Sequence, residues 1–128
     1  MSIRRTILST AAAAATILTL GACTFDPPAQ DGTAHLQNEL HKAGADCDWD
    51  LDKRETITIA SCGERFVLIV SDPKHPDQEG INEHDEATRP AFRDGGVTVR
   101  GRNYAAFAAA GDPADQLSEA TGSSPVPL

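Results

Sequence analysis

Apolar and polar positions divide the chain into segments of different character. Thr6–Leu20 carries no charge, and the chain turns polar directly after Cys23, with Pro27, Pro28 and Gly32 breaking any regular element. Periodic patterning begins at Thr33. This residue offers an N-cap to a helix with Leu36, Leu40 and Ala43 on one face, Glu39, His41 and Lys42 on the wet side, and Gly44 as its stop. Cys47, Trp49 and Leu51 then alternate with Asp46, Asp48, Asp50 and Asp52, the period of two expected of a half-buried strand. Lys53–Glu55 turns the chain into Thr56–Cys62, a second strand rich in β-branched residues. Gly63-Glu64 suits a two-residue hairpin with glycine first. The unbroken apolar run Arg65–Ser71 belongs in the middle of a sheet.

Asp72–Pro90 differs from its surroundings. It holds Pro73, Pro76 and Pro90, His75 and His84, six acids, and little apolar material beyond Ile81 and Ala87. The pattern predicts a long exposed loop with one helical turn near Asn82–Thr88, because Pro90 bars a long helix. Gly95 and Gly96 reset the chain, Val97–Arg100 forms a strand, and Gly101–Asn103 turns into another over Tyr104–Ala110. Asp112 caps a last helix with Pro113 at its first position, Leu117 and Ala120 inward and Gly122 at its end. The expected fold is an α+β domain over residues 33–122. It has one small antiparallel sheet of four to five strands, with two to three helices on one face. Residues 23–32 read as a tether and 123–128 as a frayed, disordered tail.

Charge narrows the function classes. Acids outnumber Lys and Arg by 19 to 11 over the whole chain, and residues 1–22 contain Arg4 and Arg5 but no acid. Without that segment the balance argues against nucleic acid and against an electrostatic hold on anionic lipid. Membrane attachment would have to come from another source. With Trp49, Tyr104 and four Phe as its only aromatics, the core is of modest size and would gain from a covalent staple.

The N-terminus supplies both an address and an anchor. A basic start, an apolar run of about 15 residues and the small residues Gly21-Ala22 follow the order of a secretory signal, and the run is short for a spanning helix of about 20. Leu20-Gly21-Ala22-Cys23 resembles the lipobox of bacterial lipoproteins. The resemblance implies a signal peptide over 1–22, cleavage before Cys23, a diacylglycerol on the Cys23 thiol and acylation, such as palmitate, of the new N-terminus. Acyl chains contribute about 0.8 kcal/mol per buried CH₂, enough for stable anchoring when two or more are present. Arg4-Arg5-Thr6-Ile7-Leu8 also resembles a twin-arginine export signal, with Ile3 where that family prefers a polar residue. Two arginines are common in any basic n-region, so the twin-arginine route stands as the alternative to the general secretory one.

With Cys23 assigned to lipid, Cys47 and Cys62 remain as an even pair in an oxidising compartment, which predicts a disulfide; two buried free thiols are the competing reading. A bridge there would stabilise the fold by about 3 kcal/mol through loop closure. Pairing Trp49 with Ile59 and Leu51 with Ile57 puts Cys47 opposite Ser61, one residue off Cys62. A bulge or a loop position for one cysteine would reconcile the two. Ala43-Gly44, Cys47, Cys62 and Gly101-Arg102-Asn103-Tyr104 together resemble small two-cysteine domains of secreted lipoproteins from high-GC bacteria, over about residues 34–122. In those domains a helical crossover usually stands where this chain has its His- and acid-rich segment.

Candidate chemistry beyond the cysteines is sparse. Asp46, Asp48, Asp50 and Asp52 have carboxylate spacing, but a calcium loop counted from Asp46 or Asp48 meets Leu51 or Lys53 where glycine is needed, and Ile57 or Ile59 where glutamate is needed. His75, Asp77, Glu79, Glu83, His84, Asp85 and Glu86 form the one cluster of metal-ligand types, without a helical His pair or H-E-x-x-H. His35 and His41 are too far apart for one helix turn. Ser61 has no nucleophile-elbow context, and no phosphate-binding glycine loop is present. The sequence therefore predicts no enzyme, no cofactor and no bound metal. It predicts a lipid-anchored module facing the extracytoplasmic side of the cell membrane, with an envelope protein or ligand as partner. The alternative is a small metal- or ligand-binding lipoprotein using loop 72–86.

Overall fold

The structure, a computed structural model, describes residues 32–128, so the signal segment expected over 1–22, Cys23 and residues 24–31 of the expected tether lie outside the described residues. The elements are α1 (Thr33–Lys42), β1 (Asp50–Lys53), β2 (Ile57–Cys62), β3 (Phe66–Ser71), α2 (Gln78–Thr88), β4 (Val97–Arg100), β5 (Tyr104–Ala108), α3 (Asp112–Thr121) and β6 (Val126–Pro127), with a 3-10 turn at Arg89–Phe92 after α2. The strands form one sheet in the order β1-β2-β3-β5-β4-β6, and every neighbouring pair is antiparallel. The α+β class is as expected, but the sheet has six strands rather than four to five.

The central run behaves as its sequence demands. β3 lies between β2 and β5, and alternate side chains serve opposite faces. Phe66, Leu68 and Val70 meet Leu36 and Leu40 of α1 and Leu117 of α3. Val67 and Ile69 meet Ile81 of α2 and Phe92. A strand covered on both faces has no polar alternate, which explains the unbroken apolar run. Helices therefore occupy both faces, not one as predicted: α1 and α3 on the first, α2 and its 3-10 turn on the second.

The largest correction falls on residues 72–90. Asp77 caps a helix of 11 residues, accepting from Gly80 N at 2.9 Å, and Pro90 sits in the 3-10 turn beyond the end of that helix. Loop 72–86 is thus a short lead-in followed by most of α2. Ile81 and Asp85 are the buried positions of the helix, too few to produce a visible apolar period. α2 carries the chain from β3 to β4, which run parallel with β5 between them.

Three smaller differences follow from packing. β1 starts only at Asp50 and all its residues are exposed; Asp50 pairs with Ser61 and Leu51 with Ala60, three residues away from the expected register. Cys47 and Trp49 consequently precede the strand, and Trp49 lies against Phe66 with ring centroids 6.0 Å apart. The hairpin pairs Cys62 with Phe66 around three residues rather than two, with Gly63 at φ +53°. Ser123–Leu128 does not simply fray, because Val126 and Pro127 pair with Thr98 and Val97 at the free edge of β4. Pro127 is tolerated there as an edge residue.

The Gly101–Tyr104 turn has a steric origin. A Cβ on Gly101 would overlap the Tyr104 ring, so glycine lets the buried tyrosine fold back over the turn. The buried Asn103 donates through Nδ2 to Ser71 O at 2.6 Å, and Ser71 N donates to Asn103 O at 2.9 Å, tying the turn to the end of β3.

Candidate functional site

Cys47 and Cys62 are bonded, with Cα atoms 5.7 Å apart. Cys62 ends β2 and is 3% exposed, while Cys47 is half-buried in the irregular segment between α1 and β1. The loop position of Cys47 resolves the register conflict seen in the sequence. Arg65, held at the end of the hairpin by its N–H to Cys62 O at 2.9 Å, reaches back over the bridge. Its Nη2 donates to Asp46 O at 2.6 Å and lies 3.4 Å from Cys62 Sγ and 3.7 Å from Cys47 Sγ.

A cleft of about 550 Å³ opens beside the bridge, lined by Ala34, His35, Asn38 and His41 of α1 together with Cys47 and Trp49. Residue order sets His35 and His41 too far apart for one helix turn and gives no sign that Trp49 stands near either. Helical spacing puts residues 34, 38 and 41 on one side of α1, but only tertiary packing brings that side to Trp49 and the disulfide. Another cleft, about 450 Å³, lies where the described chain begins, among Gly32, Arg54, Thr56, Ser71, Pro73 and His75.

The helix divides the His- and acid-rich cluster among separate surroundings. Asp77 accepts from Thr56 Oγ1 at 2.6 Å as well as from Gly80 N, and these donors hold its carboxyl below the ordinary value of 3.8. Asp85 is buried and accepts from Arg89 Nε at 2.5 Å and Arg100 Nη1 at 3.3 Å. Arg100 Nη2 also donates to Gln78 Oε1 at 3.2 Å and Asn82 Oδ1 at 2.5 Å. Glu79, Glu83 and Glu86 line a groove of about 420 Å³ with Asp77. His75 stands apart, in the cleft near Gly32. Among the described residues no group of three or more His, Cys, Asp or Glu side chains is placed to hold a metal ion.

Two of the aspartates before and within β1 have partners of their own. Asp46 contributes its backbone carbonyl to Arg65. Asp52 pairs with Arg54 at 2.8 Å, and that hydrogen bond holds the carboxyl below its ordinary value. Ser61 sits within the sheet between Asp50 and Val67. Among the described residues no helix is long and apolar enough to cross a membrane. Comparison with protein-family models, with curated proteins and with solved structures finds no match.

Proposed function

We propose that the protein is a bacterial lipoprotein, exported and then held by lipid on Cys23 at the extracytoplasmic face of the cell membrane. There it acts as a non-catalytic binding or accessory module for an envelope protein or ligand. The observation that carries the reading is the order of a basic start, an uncharged apolar run and Leu20-Gly21-Ala22-Cys23. The disulfide supports it, because stable bridges belong to oxidising compartments and this one uses both other cysteines of the chain. Tether length supports it too. The nine Cα–Cα steps from Cys23 to Gly32 span at most about 30 Å when extended, enough to hold a small domain close to a lipid surface.

The concave surface offered to a partner is the α1–Trp49 cleft, lined by an indole, two imidazoles and the amide side chains of Gln37 and Asn38. Such a mixture suits recognition of a peptide segment or small polar ligand. The experiment is expression of the wild-type chain and Cys23→Ala with labelled fatty acid, followed by membrane fractionation and mass spectrometry. The wild type should carry acyl chains on a new N-terminal Cys23, and the variant should be neither acylated nor cut before residue 23. A mature wild-type protein with a free Cys23 thiol overturns the proposal. Crosslinking of the lipidated protein in intact cells then identifies the partner.

A further inference from the structure

The surroundings of the disulfide differ from those of a bridge that serves only as a staple. One sulfur belongs to a half-buried residue lining an open cleft, and the other to a residue that is 3% exposed. A guanidinium lies within 3.4 Å of the buried residue's sulfur and 3.7 Å of the cleft residue's sulfur. A neutral disulfide gains little from a cation, since its sulfurs are weak acceptors. A thiolate gains a charge-assisted contact, so the cation favours the state in which the bond has opened. Arg65 is kept there by the Asp46 carbonyl and by the three-residue hairpin turn, not by a carboxylate that would cancel its charge. The other charged or titratable groups of the neighbourhood are Asp46, Asp48 and Asp50 on the Cys47 segment and β1, Glu64 on the hairpin, and His35 and His41 on α1. The acids oppose a thiolate, and among the described residues none of them has an ion pair with Arg65.

We propose that Cys47–Cys62 is a thiol–disulfide exchange site, in which an external thiol attacks Cys47 through the α1–Trp49 cleft and Cys62 leaves as a thiolate beside Arg65. In the first step the external thiolate bonds to Cys47 Sγ as the Cys47–Cys62 bond breaks. The electron pair of that bond goes to Cys62 Sγ. In the second step another thiolate attacks the external sulfur of the mixed disulfide and releases the Cys47 thiolate. Two external thiols are oxidised to one disulfide, and the protein bridge gains two electrons. The co-reactant is a small thiol or the dithiol of a partner protein. This inference does not depend on lipidation, because every group it uses lies within the described domain.

The test uses the full chain carrying Cys23→Ser, which leaves two cysteines, and follows its reduction by glutathione or dithiothreitol. Acid quenching traps the mixed disulfide, which is mapped by mass spectrometry. The rate should rise in proportion to thiol concentration, and the adduct should lie on Cys47. Arg65→Met should slow reduction at least about threefold, because the leaving sulfur loses its cation, and Arg65→Lys should restore much of the rate. A merely structural Arg65 gives the opposite sign, since loosening the hairpin would expose the bridge and speed reduction. A rate independent of thiol concentration, an adduct on Cys62, or an Arg65→Met variant reduced as fast as the parent overturns the proposal. If Arg65→Met does not fold, the adduct position and the concentration dependence of the parent decide alone.

Discussion

Arg100, the last residue of β4, donates to the carboxylate of Asp85 on α2 at 3.3 Å, and that carboxylate is almost wholly buried. Arg89, one turn further along the chain, holds its other oxygen. The pair fastens α2 to the sheet where the helix has little apolar surface of its own besides Ile81.

Removing that carboxylate should therefore loosen the helix. Asp85→Ala is expected to lower stability by about 1–3 kcal/mol, the range for a buried charged hydrogen bond discounted for its half-exposed partners. Arg100→Met should cost less, because Arg89 still pairs with Asp85. The two substitutions together should cost less than their sum, as expected of residues in contact. Urea melts of the three variants check this, and additive costs would show that the pair contributes nothing as a pair.

Asp77 makes an acid-side prediction. The Thr56 hydroxyl and then the Gly80 N–H lower its folded value below 3.8, so its contribution is present above the unfolded value and is lost as pH falls through the folded one. Asp77→Ala should lower the melting midpoint at neutral pH, and the difference from wild type should shrink as pH drops below about 4. Thermal melts across that range are sufficient. A constant difference would assign the loss to helix propensity rather than to the ionised cap.

Tyr104 makes an alkaline prediction. Its hydroxyl is buried with no hydrogen-bond partner among the described residues, and burial pushes the phenol up from 10.0 to about 12. The folded value exceeds the unfolded one, so the stability it brings is complete below pH 10 and is lost as pH rises toward 12. Tyr104→Phe should flatten this alkaline loss. At neutral pH it should change stability by less than about 1 kcal/mol or raise it, since the hydroxyl has no partner to lose. The chain has one tyrosine, so ultraviolet titration reads it directly. A phenol titrating near 10 in the folded protein contradicts the assignment.

The disulfide should be worth about 2–5 kcal/mol, the usual cost of losing a bridge from a small secreted domain. Reduction, Cys47→Ser and Cys62→Ser should each bring that loss, and the double substitution should add little to either single one. Thiol counting on the folded Cys23→Ser chain comes first, then urea melts of the variants. Two free thiols in the oxidised protein would leave the β2–β3 hairpin and its Trp49–Phe66 contact to hold this edge without a staple.

Elements whose signals are local were legible from residue order alone. α1 announced itself by Leu36, Leu40 and Gly44, α3 by Pro113 and Gly122, β3 by its apolar run, and β4 was read as Val97–Arg100. The Cys47–Cys62 pairing was legible as well, from the cysteine count together with the expectation of export. Tertiary structure decided what depends on remote partners. α2 could not be seen because one of its two buried side chains is Asp85, held inside by Arg89 and by Arg100, the second of which stands 15 residues later. β1 has no buried face to set its register, so the register follows from the docking of the segment before it, through Cys47 and Trp49. β6 exists because β4 has a free edge, and the placement of helices on both faces depends on which way the β3–β4 crossover runs. The contact of Arg65 with both sulfurs belongs to the same class. Only the fold brings a hairpin cation, a loop cysteine and a strand-end cysteine within 4 Å, because local sequence encodes which residues are apolar but not which distant charge will meet them.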